Sequence, residues 1–115
     1  MFDLTGKVVL ITGASGGIGS DIAKKMKKNG ARLILSGTRK NVLDNLSSEI
    51  GGDTKTIVTD LSSKNDVMNL ATEAENCFGH IDILINNAGI TSDTLFIRMK
   101  DEDWDNVINI NLNAS

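Results

Sequence analysis

The residues most able to do chemistry lie near the start of the chain, in Thr12-Gly13-Ala14-Ser15-Gly16-Gly17-Ile18-Gly19. This octet separates a β-branched apolar run from an amphipathic stretch, so it reads as a strand-to-helix turn. Such a turn can hold a diphosphate. Gly13 permits the sharp exit from the strand, Gly17 lets the backbone approach a pyrophosphate, and Gly19 lets the helix pack close to the sheet. The helix start contributes free N–H groups and a partial positive charge. Ser15 and Gly16 line the same turn. The spacing is G-x-x-x-G-x-G rather than G-x-G-x-x-G, and a simple chain reversal does not explain three glycines at these offsets. A second group, Ser36-Gly37-Thr38-Arg39, ends the next apolar run without an acid. An acid there would hydrogen-bond a free ribose 2′-hydroxyl, whereas hydroxyls and a guanidinium suit a 2′-phosphate. Thr38 and Arg39 therefore predict NADP(H) as the ligand, unless they are only the polar start of a loop.

The elements that would position these groups alternate regularly. Apolar runs at 7–12, 31–36, 55–59 and 81–85 predict strands. Between them, 17–29 carries Ile18, Ile22, Ala23 and Met26 at helical spacing, and 40–50 carries Val42, Leu43, Leu46 and Ile50. A third helix starts at Ser63 with a capping-box-like Ser63-x-x-Asp66 and an expected stripe of Val67, Leu70, Ala71, Ala74 and Phe78. A last helix is expected from Asp101 to the end, with Trp104, Val107, Ile108 and Leu112 inward. Strands alternating with helices imply α/β architecture and a parallel sheet apolar on both faces. Right-handed crossovers then give a Rossmann-type doubly wound sheet limited to its first four strands, order 3-2-1-4, in a single domain over 1–115.

Composition narrows the partners. With 115 residues and a net charge of −3, there is no electrostatic reason to expect nucleic acid or an anionic membrane. The basic group Lys24, Lys25, Lys27 and Lys28 reads as a solvated helix face. Cys77 is the only cysteine and His80 the only histidine, so neither a disulfide nor a metal site is expected. No stretch is long and apolar enough to span a membrane, and the first residues do not resemble a signal peptide; a cytoplasmic setting is the expectation. The chain has no tyrosine and no proline, and it stops inside a helix-like pattern without a cap, which reads as a truncation.

Several motifs in order resemble the short-chain dehydrogenase/reductase family. The turn 12–19 matches its TGxxxGxG pattern, Asp60-Leu61 the acid-plus-apolar pair after the third strand, Asn86-Asn87-Ala88-Gly89 the NNAG motif after the fourth, and Asn111 the helix asparagine of its active site. Within the family, the segment 86–111 is most similar to bacterial 3-oxoacyl-[acyl-carrier-protein] reductases, through Gly89-Ile90-Thr91-Ser92-Asp93-Thr94-Leu95, Arg98-Met99-Lys100 and Trp104.

The resemblance implies roles. Gly13, Ala14, Ser15, Gly16, Gly17, Ile18 and Gly19 would surround the pyrophosphate and ribose, and Thr38 would face the 2′-phosphate. Asp60 and Leu61 would bracket the adenine. Asn87, Ala88 and Gly89 would line the adenine ribose and the nicotinamide side, while Asn86 would cap the strand end. Asn111 would help hold a water chain and the catalytic lysine. Gly16 departs from the pattern, because NADP-using relatives often carry a basic residue there.

The reaction implied is hydride transfer from NADPH to the ketone of a 3-oxoacyl thioester on acyl carrier protein, in a homotetramer. The family's serine, tyrosine and lysine act on the carbonyl. Without any tyrosine, the 115-residue chain is expected to be inactive alone, and its fourth strand to be an exposed edge. Alternatives are a short-chain dehydrogenase acting on a sugar, steroid or small alcohol, and a non-catalytic NADP-binding module.

Overall fold

The computed structural model describes residues 3–87, together with the backbone of 94–101 and 104–111. The elements run β1 (Val8–Thr12), α1 (Gly17–Lys28), β2 (Arg32–Gly37), α2 (Lys40–Ile50), β3 (Thr54–Val58), α3 (Lys64–Phe78), β4 (Ile83–Asn86), β5 (Thr94–Asp101) and β6 (Trp104–Asn111). The first four strands are parallel in the expected order β3-β2-β1-β4. Val9 pairs with Leu33 on one side and Ile83 on the other, so β1 is the centre of this part.

All five residues of β1 are buried. The period-two alternation of a strand divides them between two cores. Val9 and Ile11 join Leu33, Leu35, Ile83 and Ile85 beneath α1 and α2, where Ala23, Leu43 and Leu46 are buried. Val8 and Leu10 join Ile34 and Ile57 against α3, which supplies Leu70 and Ala74. β3 lies at the sheet edge and buries only Ile57.

The packing line of α3 is narrower than its sequence predicts. Leu70, Ala74, Cys77 and Phe78 contact the core, whereas Ala71 is exposed and Val67 is 43% exposed. One residue turns about 100° around a helix, so Ala71 rotates off the line that Leu70 and Ala74 define. Val67 lies in the first helical turn, ahead of that line. At the other end of α3, Gly79 is the left-handed cap at φ 89°. His80 Nε2 then lies 2.9 Å from Asp82 Oδ2, and that carboxylate also accepts from Val8 N at 2.8 Å.

The largest departure comes after β4. Where a helix is expected from Asp101 onward, β6 runs antiparallel to β5, with Asp101 opposite Trp104 and Thr94 opposite Asn111. β5 in turn pairs antiparallel with β4, Ile83 opposite Met99. The sheet therefore has six strands, and β4 is an interior strand rather than an edge. Two physical factors favour this. Trp104, Val107, Ile108 and Ile110 are aromatic or β-branched types that suit a strand, and the open edge of β4 offers unpaired backbone groups to any segment able to add to it.

Candidate cofactor site

The turn after β1 is held by backbone bonds. Gly13 leaves the strand at φ 66°, a left-handed conformation that glycine adopts without strain. Ala14 N donates to Ser36 O at 2.9 Å, and Gly16 N to Gly13 O at 3.2 Å. Ala14 is fully buried, so its part is to fix the turn. Gly16 stands at the N-cap of α1 without a capping side chain, and no acid occupies the first turn. The first N–H groups of a helix have no intrahelical acceptor; here they form an open, partly positive end.

The glycines of this turn do different work. A Cβ at position 19 would stand 2.8 Å from Ala14 Cα and 2.9 Å from Asn87 Nδ2, and would overlap the Gly13 carbonyl. Gly19 thus lets the helix press against the turn itself, rather than against the sheet as its spacing implies. A Cβ at position 17 would meet nothing within 4 Å, so that glycine leaves open space beside the helix end. Ile18 is 48% exposed there.

Two neighbouring segments brace the turn. Thr12 Oγ1 donates to Asn86 Oδ1 at 2.9 Å and accepts from Asn87 N at 3.1 Å. Asn87 Nδ2 donates to Gly13 O at 3.1 Å, while its Oδ1 is buried without a partner among the described residues. It is Asn87, more than Asn86, whose side chain bonds backbone. Position 37 is the second brace: a Cβ there would lie 2.8 Å from Ser15 Oγ. Beyond it, Arg39 Nη2 donates to Ser15 O at 2.7 Å, which brings the guanidinium back over the glycine turn. Lys40 points away, paired with Asp44 at 2.6 Å.

The loop after β3 forms the far wall. Asp60 Oδ1 accepts from Ser62 N at 3.0 Å and Ser62 Oγ at 2.7 Å. These bonds, the hydroxyl first, hold the Asp60 carboxyl below its ordinary pKa. Asp60 N donates to Asp66 Oδ2 at 2.9 Å, and Ser63 Oγ caps α3 by accepting from Asp66 N at 3.3 Å. The cap is thus half of the expected box, since the Asp66 carboxylate reaches Asp60 N.

Between these walls lies a cleft of about 240 Å³ lined by Gly13, Ser36, Gly37, Thr38, Thr59, Asp60, Leu61 and Ser62. It unites Gly13, Thr38, Asp60 and Leu61, four of the residues expected from sequence. Ser36, Gly37, Thr59 and Ser62 line it too and were not among the expected site residues. Gly37 carried a local signal, a glycine at a strand end; the pairing of β2 with β3 brings Ser36 and Thr59 to the same end of the sheet, and Ser62 follows Asp60 and Leu61 in the loop. Ala88 and Gly89 lie outside the described residues. Asn111 ends β6 rather than lying in a helix, and its side chain lies outside the described residues. Among the described residues, no cluster of His, Cys, Asp and Glu could hold a metal ion, and no helix is long and apolar enough to cross a membrane. Cys77 is partly buried, which raises its thiol pKa.

Comparison with known proteins places this geometry among relatives. The short chain dehydrogenase family matches residues 7–115. A nodulation protein G from Rhizobium sp. (strain N33) is 48% identical over 99% of this chain and 46% of that protein. A 3-oxoacyl-[acyl-carrier-protein] reductase FabG from Rickettsia prowazekii is 49% identical over the whole chain and 46% of its own length. The crystal structure of a 3-ketoacyl-(acyl-carrier-protein) reductase from Brucella melitensis, complexed with NADH, superposes with a TM-score of 0.72 at 38% identity, over 79% of this chain and 37% of that one. The chain spans about half the length of the curated relatives it matches. With the open helix end, the braced glycine turn and these matches in hand, the chain belongs to the short chain dehydrogenase family.

Proposed function

We propose that residues 1–115 form the N-terminal part of a single NADP(H)-binding domain in an oxidoreductase that reduces 3-oxoacyl thioesters on acyl carrier protein. The carrying observation is the uncapped end of α1, with open space at Gly17 and the cleft at Thr38, Asp60 and Leu61 beside it. The backbone N–H groups of the turn would hold the pyrophosphate, with Ser15, Gly16 and Ile18 around it. Thr38 and Arg39 would face the 2′-phosphate, Leu61 and Asp60 the adenine, and Asn87, Ala88 and Gly89 the ribose and nicotinamide side. When bound, the nicotinamide supplies the hydride. Asn111 is proposed to support the proton-donating groups, which include a tyrosine that this chain does not contain. Action on acyl carrier protein accords with the relatives' names; a homotetramer in the cytoplasm is part of the same proposal and rests on the family resemblance.

The test is calorimetric titration of the chain with NADPH and NADH. Binding of NADPH, tighter than NADH, is expected; no binding of either would overturn the reading. The chain alone is expected not to turn over an acetoacetyl thioester. Gly16 favours a second reading, in which NAD(H) is the preferred dinucleotide, and the same titration separates the two.

A further inference from the structure

We propose that the Thr59 hydroxyl reads the base of the bound dinucleotide, as a specificity-determining contact; this rests on the dinucleotide reading above. Thr59 follows β3 and is 2% exposed. Its N–H donates to Gly37 O at 2.8 Å, but its Oγ1 is buried with no hydrogen-bond partner among the described residues. Thr59 also lines the cleft, next to Asp60 and Leu61.

Buried hydroxyls almost always have partners, and one that lacks them has lost water without replacement. A valine has nearly the same shape and no polar atom to strand, so folding alone favours valine at this position. The hydroxyl becomes favourable when a ligand in the cleft supplies its partner. The carboxylate of the cleft lining is already engaged, since Asp60 Oδ1 accepts twice from Ser62.

The chemistry of the surroundings selects the ligand part. Phosphates are served by the helix end of α1, on the other side of Gly13, and by the guanidinium of Arg39. Among the described residues, no Lys or Arg lines the cleft at Thr59; instead Leu61, 40% exposed, offers apolar surface to a flat ring. A hydroxyl both donates and accepts, which matches the ring nitrogens and exocyclic amine of a purine. The cleft, about 240 Å³, accommodates such a ring.

The experiment compares the wild-type chain with Thr59→Val and Thr59→Ser, titrated calorimetrically with NADPH and with 2′,5′-ADP, which carries the base without the nicotinamide. Thr59→Val is expected to weaken both ligands by about 3- to 10-fold, the loss of one ordinary hydrogen bond. Thr59→Ser is expected to bind both within about twofold of wild type, since the hydroxyl is retained. The ligand-free Thr59→Val chain should melt at or above the wild-type temperature. Unchanged 2′,5′-ADP affinity in Thr59→Val, with wild type binding normally, would overturn the contact and leave the dinucleotide reading standing. A lower melting temperature in Thr59→Val would assign Thr59 a structural role and overturn it too. Failure of the folded wild-type chain to bind either ligand would overturn both.

Discussion

The turn between β1 and α1 and the loop between β3 and α3 both leave the carboxyl ends of parallel strands, yet one depends on missing side chains and the other on present ones. In the first, Gly13, Gly17 and Gly19 leave the backbone bare, so that its N–H donors are open to a ligand. In the second, Asp60, Ser63 and Asp66 bond backbone through their side chains, Ser62 Oγ bonds the Asp60 carboxylate, and together they fix the loop's shape. Under the proposed function, the difference matches what each would recognise. A phosphate needs several converging donors at short range, which side chains would obstruct. A base needs a shaped, partly apolar wall with a few placed polar atoms, which only side chains can provide.

The largest effect should come from filling the bare turn. Gly19→Ala places a methyl against Ala14, Asn87 and the Gly13 carbonyl, and overpacking of this kind costs roughly 1–3 kcal/mol. Urea denaturation should register that loss. Gly17→Ala is the contrasting case. Nothing lies within 4 Å of its new methyl, so stability should hold or rise by up to about 1 kcal/mol from helix propensity. NADPH affinity should nevertheless fall, by about tenfold if roughly 1.4 kcal/mol of phosphate binding is lost. Equal losses of stability in the two variants would erase the distinction between a packing glycine and a ligand glycine.

A smaller effect is expected from adding a side chain where the turn tolerates one. Gly16 has φ −91° and ψ 167°, open to any L-residue, and a Cβ there would meet only Gly13 O, at 3.6 Å. Gly16→Arg should raise the preference for NADPH over NADH by about fivefold, as roughly 1 kcal/mol from an exposed charge pair implies. Titration with both dinucleotides measures it, and an unchanged ratio would remove position 16 from the surroundings of the 2′-phosphate.

The smallest effect concerns the side-chain-built loop. Hydrogen bonds from Ser62 lower the folded-state pKa of Asp60. Its contribution to stability is therefore present above the unfolded carboxylate value, about 4, and is lost as pH falls through the lower folded value. Asp3 and Asp44, held low by Thr5 and Lys40, act in the same sense. Melting temperatures between pH 2 and 6 should fall less steeply toward acid in Asp60→Asn than in wild type, and identical slopes would show that the Ser62 bonds do not persist in solution.

Much of the parallel half was legible in advance because its signals are local. The β-branched run before Gly13 and the 3.6-residue spacing in 40–50 each state their element within a dozen residues. The cleft was less legible. Asp60 and Thr38 carried family likeness, but Thr59 looked like the last residue of a strand and Ser36 like part of a polar strand end. Their meeting depends on β2 and β3 pairing in register, with Ser36 opposite Ile57 and Gly37 opposite Val58. The region after Asp101 was misread because Trp104, Val107 and Ile108 fit a helical face as well as a strand, and short apolar runs do not distinguish the two.

Sequence by itself determined the order of the first strands and the side-chain-free form of the turn, since periodicity and glycine placement act over a few residues. Tertiary structure alone decided that Gly19 presses on the turn rather than the sheet, that the Thr59 hydroxyl borders the cleft without a partner among the described residues, and that 104–111 extends the sheet. Those outcomes depend on which distant backbone or side chain arrives beside each residue, and contacts of that kind are set by the packing of the whole chain.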